Sequence, residues 1–234
     1  NCLNMYKILG IIPARKGSKG VKNKNSLIIN GKPLIEYTIN SALKSKIDKI
    51  VVSTNCSKIQ KISIDLGVSS PFLRPEHLAT DNALTIDVVK HCLDYYKNIG
   101  EDFDIVMLLQ PTCPLRSSEM INKAIDKLSS SEDIDSVVSV VDVEGNHPFR
   151  MKRIENNKLV NYIDLGFEDM RPRQELPKVY IRSGSIYAIK VDALLKYNGL
   201  VGSSVYPLIE ESDLAINIDT YHDLHLFENK INNL

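Results

Sequence analysis

Phe103–Leu109 reads FDIVMLL, and the chain runs on through Leu108–Arg116 as LLQPTCPLR. An apolar run without alternation suits a strand buried on both faces, as in a parallel sheet covered on its two sides by helices. Working outward, Lys7–Ala14, Lys49–Thr54 (KIVVST) and Ser136–Val141 (SVVSVV) read as further strands. Helical spacing fills the intervals. Pro33–Lys44 carries apolar positions at Leu34, Ile35, Ile39, Ala42 and Leu43. Ser57–Leu66 stops at Gly67, Thr85–Tyr96 is a third helix, and Ser117–Ser129 starts at a Ser117 or Ser118 cap. Strand and helix alternate, which predicts an α/β fold: a mostly parallel, open, Rossmann-like sheet.

Beyond Val141 the texture changes. Residues 142–178 are polar and contain three prolines, and they read as an inserted arm suited to an oligomer contact. A strand resumes at Ser185–Ile189 (SIYAI), Ala215–Thr220 (AINIDT) reads as the end of a late strand, and Tyr221–Ile231 as a closing helix. A single domain is expected over 5–234, leaving aside the four residues before Met5. The 29 Lys and Arg balance 29 Asp and Glu, which argues against nucleic-acid binding and makes any anion site local. No apolar run of about 18 residues predicts a membrane span. The four cysteines (Cys2, Cys56, Cys92, Cys113) form no CxxC pair, so reduced thiols and a cytoplasmic setting are expected rather than a zinc site or disulfides.

The first strand leads straight into a cationic loop. Of the 13 residues Ala14–Ser26, five are basic (Arg15, Lys16, Lys19, Lys22, Lys24) and none acidic. Gly17 and Gly20 let backbone amides approach an anion, and Ser18 adds a hydroxyl. Ligands of open α/β sheets bind beyond the carboxyl ends of the strands, so a polyphosphate is the natural guest; a solvated basic turn is the plain alternative. The loop matches neither the Walker motif nor GxGxxG. Gln110, Thr112 and Arg116 fall at the same sheet edge, in a loop stiffened by Pro111 and Pro114. Arg74 and His77 precede a Thr80-Asp81 pair that would also serve as a helix cap. Asp219 is either a magnesium ligand facing the polyphosphate or a cap for the last helix. The five histidines show no metal-binding spacing, and no GxSxG elbow occurs.

Five stretches, in order, carry a resemblance: IPARKGSKGVKNKN (12–25), LRPEHLATDNALT (73–85), LLQPTCPLR (108–116), RPRQELPKVYIRSGSIYA (171–188) and NIDT (217–220). Together they resemble the acylneuraminate cytidylyltransferases, the CMP-sialic acid synthetases, more than the related 3-deoxy-manno-octulosonate enzymes. The resemblance implies a nucleotide-diphospho-sugar transferase-like fold. It implies CTP and a nine-carbon sugar acid (a nonulosonic acid) as substrates, Mg2+ as cofactor, and a homodimer in which the arm reaches the neighbouring site. It implies that Arg15, Ser18, Lys19, Lys24 and Asn25 hold the triphosphate. Arg74, Ala83 and Thr85 would contact cytosine and ribose. Gln110, Arg150, Arg173 and Tyr187 would contact the sugar acid, the two arginines from the partner chain. Asn217 and Asp219 would hold the metal. The family pattern there is Asp-Ile-Asp-Thr, so Asn217 removes a charge that a hard cation prefers. A pseudoenzyme that kept the pocket and lost activity, and a transferase for another nucleotide or acid, are the rival readings.

Overall fold

The computed structural model describes residues 6–18 and 20–233. In chain order its strands are β1 (Ile8–Pro13), β2 (Ile28–Ile29), β3 (Lys32–Pro33), β4 (Lys49–Ser53), β5 (Ile105–Leu108), β6 (Ser136–Asp142), β7 (Lys152–Glu155), β8 (Lys158–Asn161), β9 (Tyr180–Lys190) and β10 (Val205–Ile209). The helices are α1 (Leu34–Leu43), α2 (Ser57–Asp65), α3 (Thr85–Asn98), α4 (Ser118–Ser130), α5 (Val191–Tyr197) and α6 (Tyr221–Ile231). Six strands form one sheet in the order β10-β6-β9-β5-β1-β4. β1 runs parallel to β4 and β5, and β6 parallel to β10, while β9 is antiparallel to both its neighbours. The expected mostly parallel sheet is thus present, with one reversed strand near its centre.

The unbroken apolar runs follow from two covered faces. In β1, Ile8 and Ile12 pack with Ile35 and Ile39 of α1 and with Ile121 and Ile125 of α4. Leu9 and Ile11, one pleat away, pack with Val89, Cys92 and Tyr96 of α3 and with Leu194 of α5. Alternate residues face opposite sides, so both sets must be apolar. A third cluster joins Ile29, Leu34, Ile218, Leu224 and Phe227. Phe227 is fully buried and meets Tyr37 edge-on at 5.1 Å between ring centres. This cluster docks α6, and with it the segment carrying Asp219.

Three expectations are corrected. Residues 215–219 are not a strand: β10 has already ended at Ile209, and the segment is held by Ile218 N–H donating to Thr112 O at 2.7 Å. Neither Thr80 nor Asp81 caps α3; its N-cap is Leu84, and Asp81 is engaged by Arg15 instead. Asp219 does not cap α6, because Thr220 does, in a capping box with Asp223. Ser117 caps α4 as expected, accepting from Met120 N–H. β9 begins at Tyr180, five residues before the expected start. Residues 142–178 form a β7–β8 hairpin and flanking loops, with Ile154, Leu159 and Met170 exposed at 76, 70 and 82%.

Candidate active site

The loops that follow β1 and β5 converge with the α2–α3 connection and residues 215–219 around a cavity of about 470 Å³. Arg15, Ser18, Lys24, Asn25, Arg74, Ala83, Thr85, Gln110, Asn217 and Asp219, all expected from the sequence, line it. Lys19 lies outside the described residues.

Each cation is held by the chain. Arg15 donates to Asp81 Oδ1 at 2.6 Å and to Ala79 O at 3.4 Å. Asn25 Nδ2 donates to Arg15 O at 3.2 Å, fastening the loop to itself. Lys24 is buried, and its Nζ donates to Ile218 O at 2.5 Å and to Asp219 Oδ1 at 2.9 Å. Gly20 matters for a different reason from Gly17. Gly17 has φ +81° with open space around it, whereas a Cβ on Gly20 would overlap the carbonyl oxygen of Asp219. The basic loop and the Asp219 segment therefore touch backbone to backbone.

Arg74 is 5% exposed and clamps the end of β4, donating from Nε to Ser53 Oγ at 3.0 Å and from Nη2 to Ser53 O at 2.5 Å. Burial, with Arg15 nearby, pushes its guanidinium down to about 10, so it stays charged at neutral pH. Arg116 is buried behind the cavity, donating to Gln110 O (3.3 Å), Ser185 O (2.6 Å) and Thr38 Oγ1 (2.9 Å). It anchors the loop that presents Gln110.

A second cavity of about 310 Å³ shares Thr85 and Gln110 with the first and adds Tyr187, Arg182, Ile86 and Leu200. The other two expected sugar residues are elsewhere in the chain. Arg173 is 3.7 Å from Glu144 in a separate cavity on the arm, and Arg150 donates to Arg171 O at 2.8 Å. Sequence reasoning missed Ser53, Arg182 and the pairing of Asp81 with Arg15. Nothing local marks Ser53, and the Arg15–Asp81 contact spans 66 positions.

At the expected metal position, Asn217 Nδ2 donates to Asp219 Oδ2 at 2.8 Å, and Asn217 Oδ1 lies 3.7 Å from Cys113 Sγ. No cluster of three or more His, Cys, Asp or Glu suited to a metal occurs among the described residues. The donor set is thus one carboxylate. That fits a hard cation of the kind held by one or two carboxylates plus substrate phosphates. The three described cysteines are free; burial raises the Cys113 thiol and pushes Cys92 up to about 12, which leaves both unsuited as nucleophiles. Cys2 lies outside the described residues. No helix among the described residues is long and apolar enough to cross a membrane.

An open α/β sheet with fixed cations around one cavity and a second cavity beside it suits a nucleotidyltransferase. The sequence profile of the family described as cytidylyltransferase matches residues 9–200, and the chain belongs to that family. It is 35% identical to a CMP-N,N'-diacetyllegionaminic acid synthase of Legionella pneumophila, over 95% of each chain. It is 33% identical to an N-acylneuraminate cytidylyltransferase of Escherichia coli over 94% of its own length, and spans about half of that longer protein, 51%. Among solved structures it is similar to a CMP:2-keto-3-deoxy-manno-octonic acid synthetase complexed with CTP. That match has a TM-score of 0.70 at 18% identity, covering 97% of this chain and 99% of the other.

Proposed function

We propose that the chain joins CTP to a nonulosonic acid, releasing pyrophosphate and giving the CMP-sugar. The observation that carries this reading is the single cavity lined by both the triphosphate set and the cytidine set. Arg15, Ser18, Lys24 and Asn25, with Lys19, hold the triphosphate; Arg74, Ala83 and Thr85 face the nucleoside. Gln110 and Tyr187, in the adjoining cavity, face the acid. The anomeric hydroxyl attacks the α-phosphorus in line, its proton passing to water, and the P–O bond to pyrophosphate breaks. No covalent enzyme intermediate forms, so catalysis consists of positioning and charge stabilisation. Arg15 and Lys24 neutralise the departing pyrophosphate.

Cytidylyltransferases of this kind commonly use a divalent metal. Asp219 would hold Mg2+ here, and the ion would supply charge neutralisation at the phosphate oxygens. Asn217 orients Asp219 through its amide and adds no charge. A homodimer accounts for the exposed apolar residues of 142–178, and Arg150 and Arg173 reach the partner's sugar cavity from that arm. A nucleoside triphosphate substrate and free thiols suit the cytoplasm.

The test is pyrophosphate release from CTP, UTP and GTP, each with N-acetylneuraminic, legionaminic, pseudaminic or 3-deoxy-manno-octulosonic acid. CTP with one nine-carbon acid should be the productive pair. Arg15→Ala and Asp219→Ala should each lose about 10²–10³ in rate, the worth of one charged transition-state contact. Unchanged turnover in both variants at saturating CTP and Mg2+ refutes the assignment. Activity confined to Asn217→Asp would make the natural chain a pseudoenzyme.

A further inference from the structure

The pairing of β6 with β9 contains a jump. Val138 faces Tyr187, but Val140 faces Arg182, so Ser139 alone stands opposite residues 183–186. In a regular strand Arg182 and Tyr187, five positions apart, project from opposite faces of the sheet. The bulge cancels that difference, and both side chains line the second cavity beside Gln110. Gly184 supplies the left-handed residue the bulge needs, at φ +85°. Buried hydroxyls pin it. Ser139 Oγ accepts from Ile186 N–H at 2.8 Å and from Ser183 Oγ at 2.7 Å, and Ser185 Oγ donates to Glu210 Oε2 at 3.1 Å. A buried polar cluster in the sheet is thus tied to the aim of one exposed arginine.

Arg182 is the one cation lining this cavity among the described residues, and none of the hydrogen bonds or ion pairs among them engages its guanidinium. Arg173, by contrast, faces Glu144, and Arg150 is tied to the backbone of Arg171. We propose that Arg182 recognises the carboxylate of the acceptor sugar acid from within the same chain. An unpaired, planar guanidinium at the rim of a cavity is matched to a carboxylate by two parallel hydrogen bonds. The assignment rests on the reading that the second cavity takes the acid.

The experiment compares Arg182→Gln with wild type, using whichever nonulosonic acid the wild type turns over, its C1 carboxamide, and CTP. The expected result is a roughly ten- to hundredfold loss of kcat/KM for the acid, the worth of a hydrogen bond to a charged group, with KM for CTP unchanged. The preference of the wild type for the acid over the carboxamide should collapse in Arg182→Gln and partly return in Arg182→Lys. Loss of packing alone would not produce that pattern. An intact acid preference in Arg182→Gln, with the loss appearing in Arg150→Gln or Arg173→Gln, overturns the proposal in favour of the arm. A wild type inactive with every nonulosonic acid removes the underlying reading and this assignment with it.

Discussion

Gly20→Ala isolates the contact on which the site depends. At Gly20 the glycine is required for space: an added Cβ would fall on Asp219 O and 3.1 Å from Asp219 C. Real Cβ atoms essentially never come closer than 3.0 Å, and the overlap can be relieved only by moving the loop or the 215–219 segment about 1 Å apart, since both obstacles are backbone. That separation stretches the bonds from Lys24 to Ile218 O (2.5 Å) and Asp219 Oδ1 (2.9 Å), which cross the same seam. A misplacement of about 1 Å costs about 10²-fold in rate, and overpacking costs about 1–3 kcal/mol of stability. For a chain of this size that lowers Tm by about 2–4 °C per kcal/mol. Steady-state pyrophosphate release at saturating CTP, paired with a thermal melt, reads both. Gly17→Ala is the comparison: it strains a left-handed backbone but meets no atom within 4 Å. Gly20→Ala should therefore lose more activity than Gly17→Ala. Near wild-type turnover in Gly20→Ala would show that the loop and the Asp219 segment need not touch.

Three further outcomes follow from buried groups and from the arm. Arg116→Met removes donors to the buried Ser185 O and Thr38 Oγ1 and to the half-buried Gln110 O, so it should destabilise by roughly 3 kcal/mol, a drop of about 6–12 °C in a melt; an unchanged Tm contradicts the anchoring role. Burial raises Glu210 above the ordinary value of 4.5, so the folded chain holds that proton more tightly than the unfolded chain does. Its contribution is complete below 4.5 and fades as pH rises through the raised value. Melts across that window should fall with pH in wild type and fall less in Glu210→Gln; identical slopes defeat the reading. On the proposed homodimer, Ile154→Asp with Leu159→Asp should turn a wild-type dimer into a monomer by light scattering; a wild type that is already monomeric removes the arm's role, and a dimer persisting in the variant places the interface elsewhere.

Much of the sheet was legible because physics writes it at short range. β1, β4 and β5 hold near-continuous apolar runs, β6 holds one interrupted by Ser139, and α1 to α4 repeat at helical spacing between them, so local pattern and global fold agree. β10 was not legible: its five residues include Pro207, which reads as a break yet is tolerated on an edge strand. The first half of β9 was hidden by its own bulge, where Ser183, Gly184 and Ser185 interrupt the alternation. AINIDT misled for the converse reason. Ile218 is apolar in order to dock α6 in the third cluster, with no ladder to join. Most of the residues expected at the site, taken from ordered stretches far apart in the chain, do line one cavity, whereas their partners were not legible. Arg74 clamps Ser53 from 21 positions away, and only tertiary structure makes that pair.

The neutral net charge of the chain has a local counterpart in how its basic loop is held. Cations converging on one cavity repel, by about 4 kcal/mol per pair at 4 Å with an effective dielectric constant of 20. Arg15 is therefore matched to Asp81 and Lys24 to Asp219. Matching does not exhaust them. An arginine carries five donors and a lysine three, while Arg15 spends two on Asp81 and Ala79 and Lys24 spends two on Ile218 and Asp219. Three donors remain on Arg15 and one on Lys24, already oriented by the bonds the others make. Donors fixed before the substrate arrives need no reorganisation when charge develops on the departing pyrophosphate, and that is the condition under which such groups are worth most to a reaction. On the proposed function, the carboxylates that would compete with a triphosphate are what holds its binding groups still.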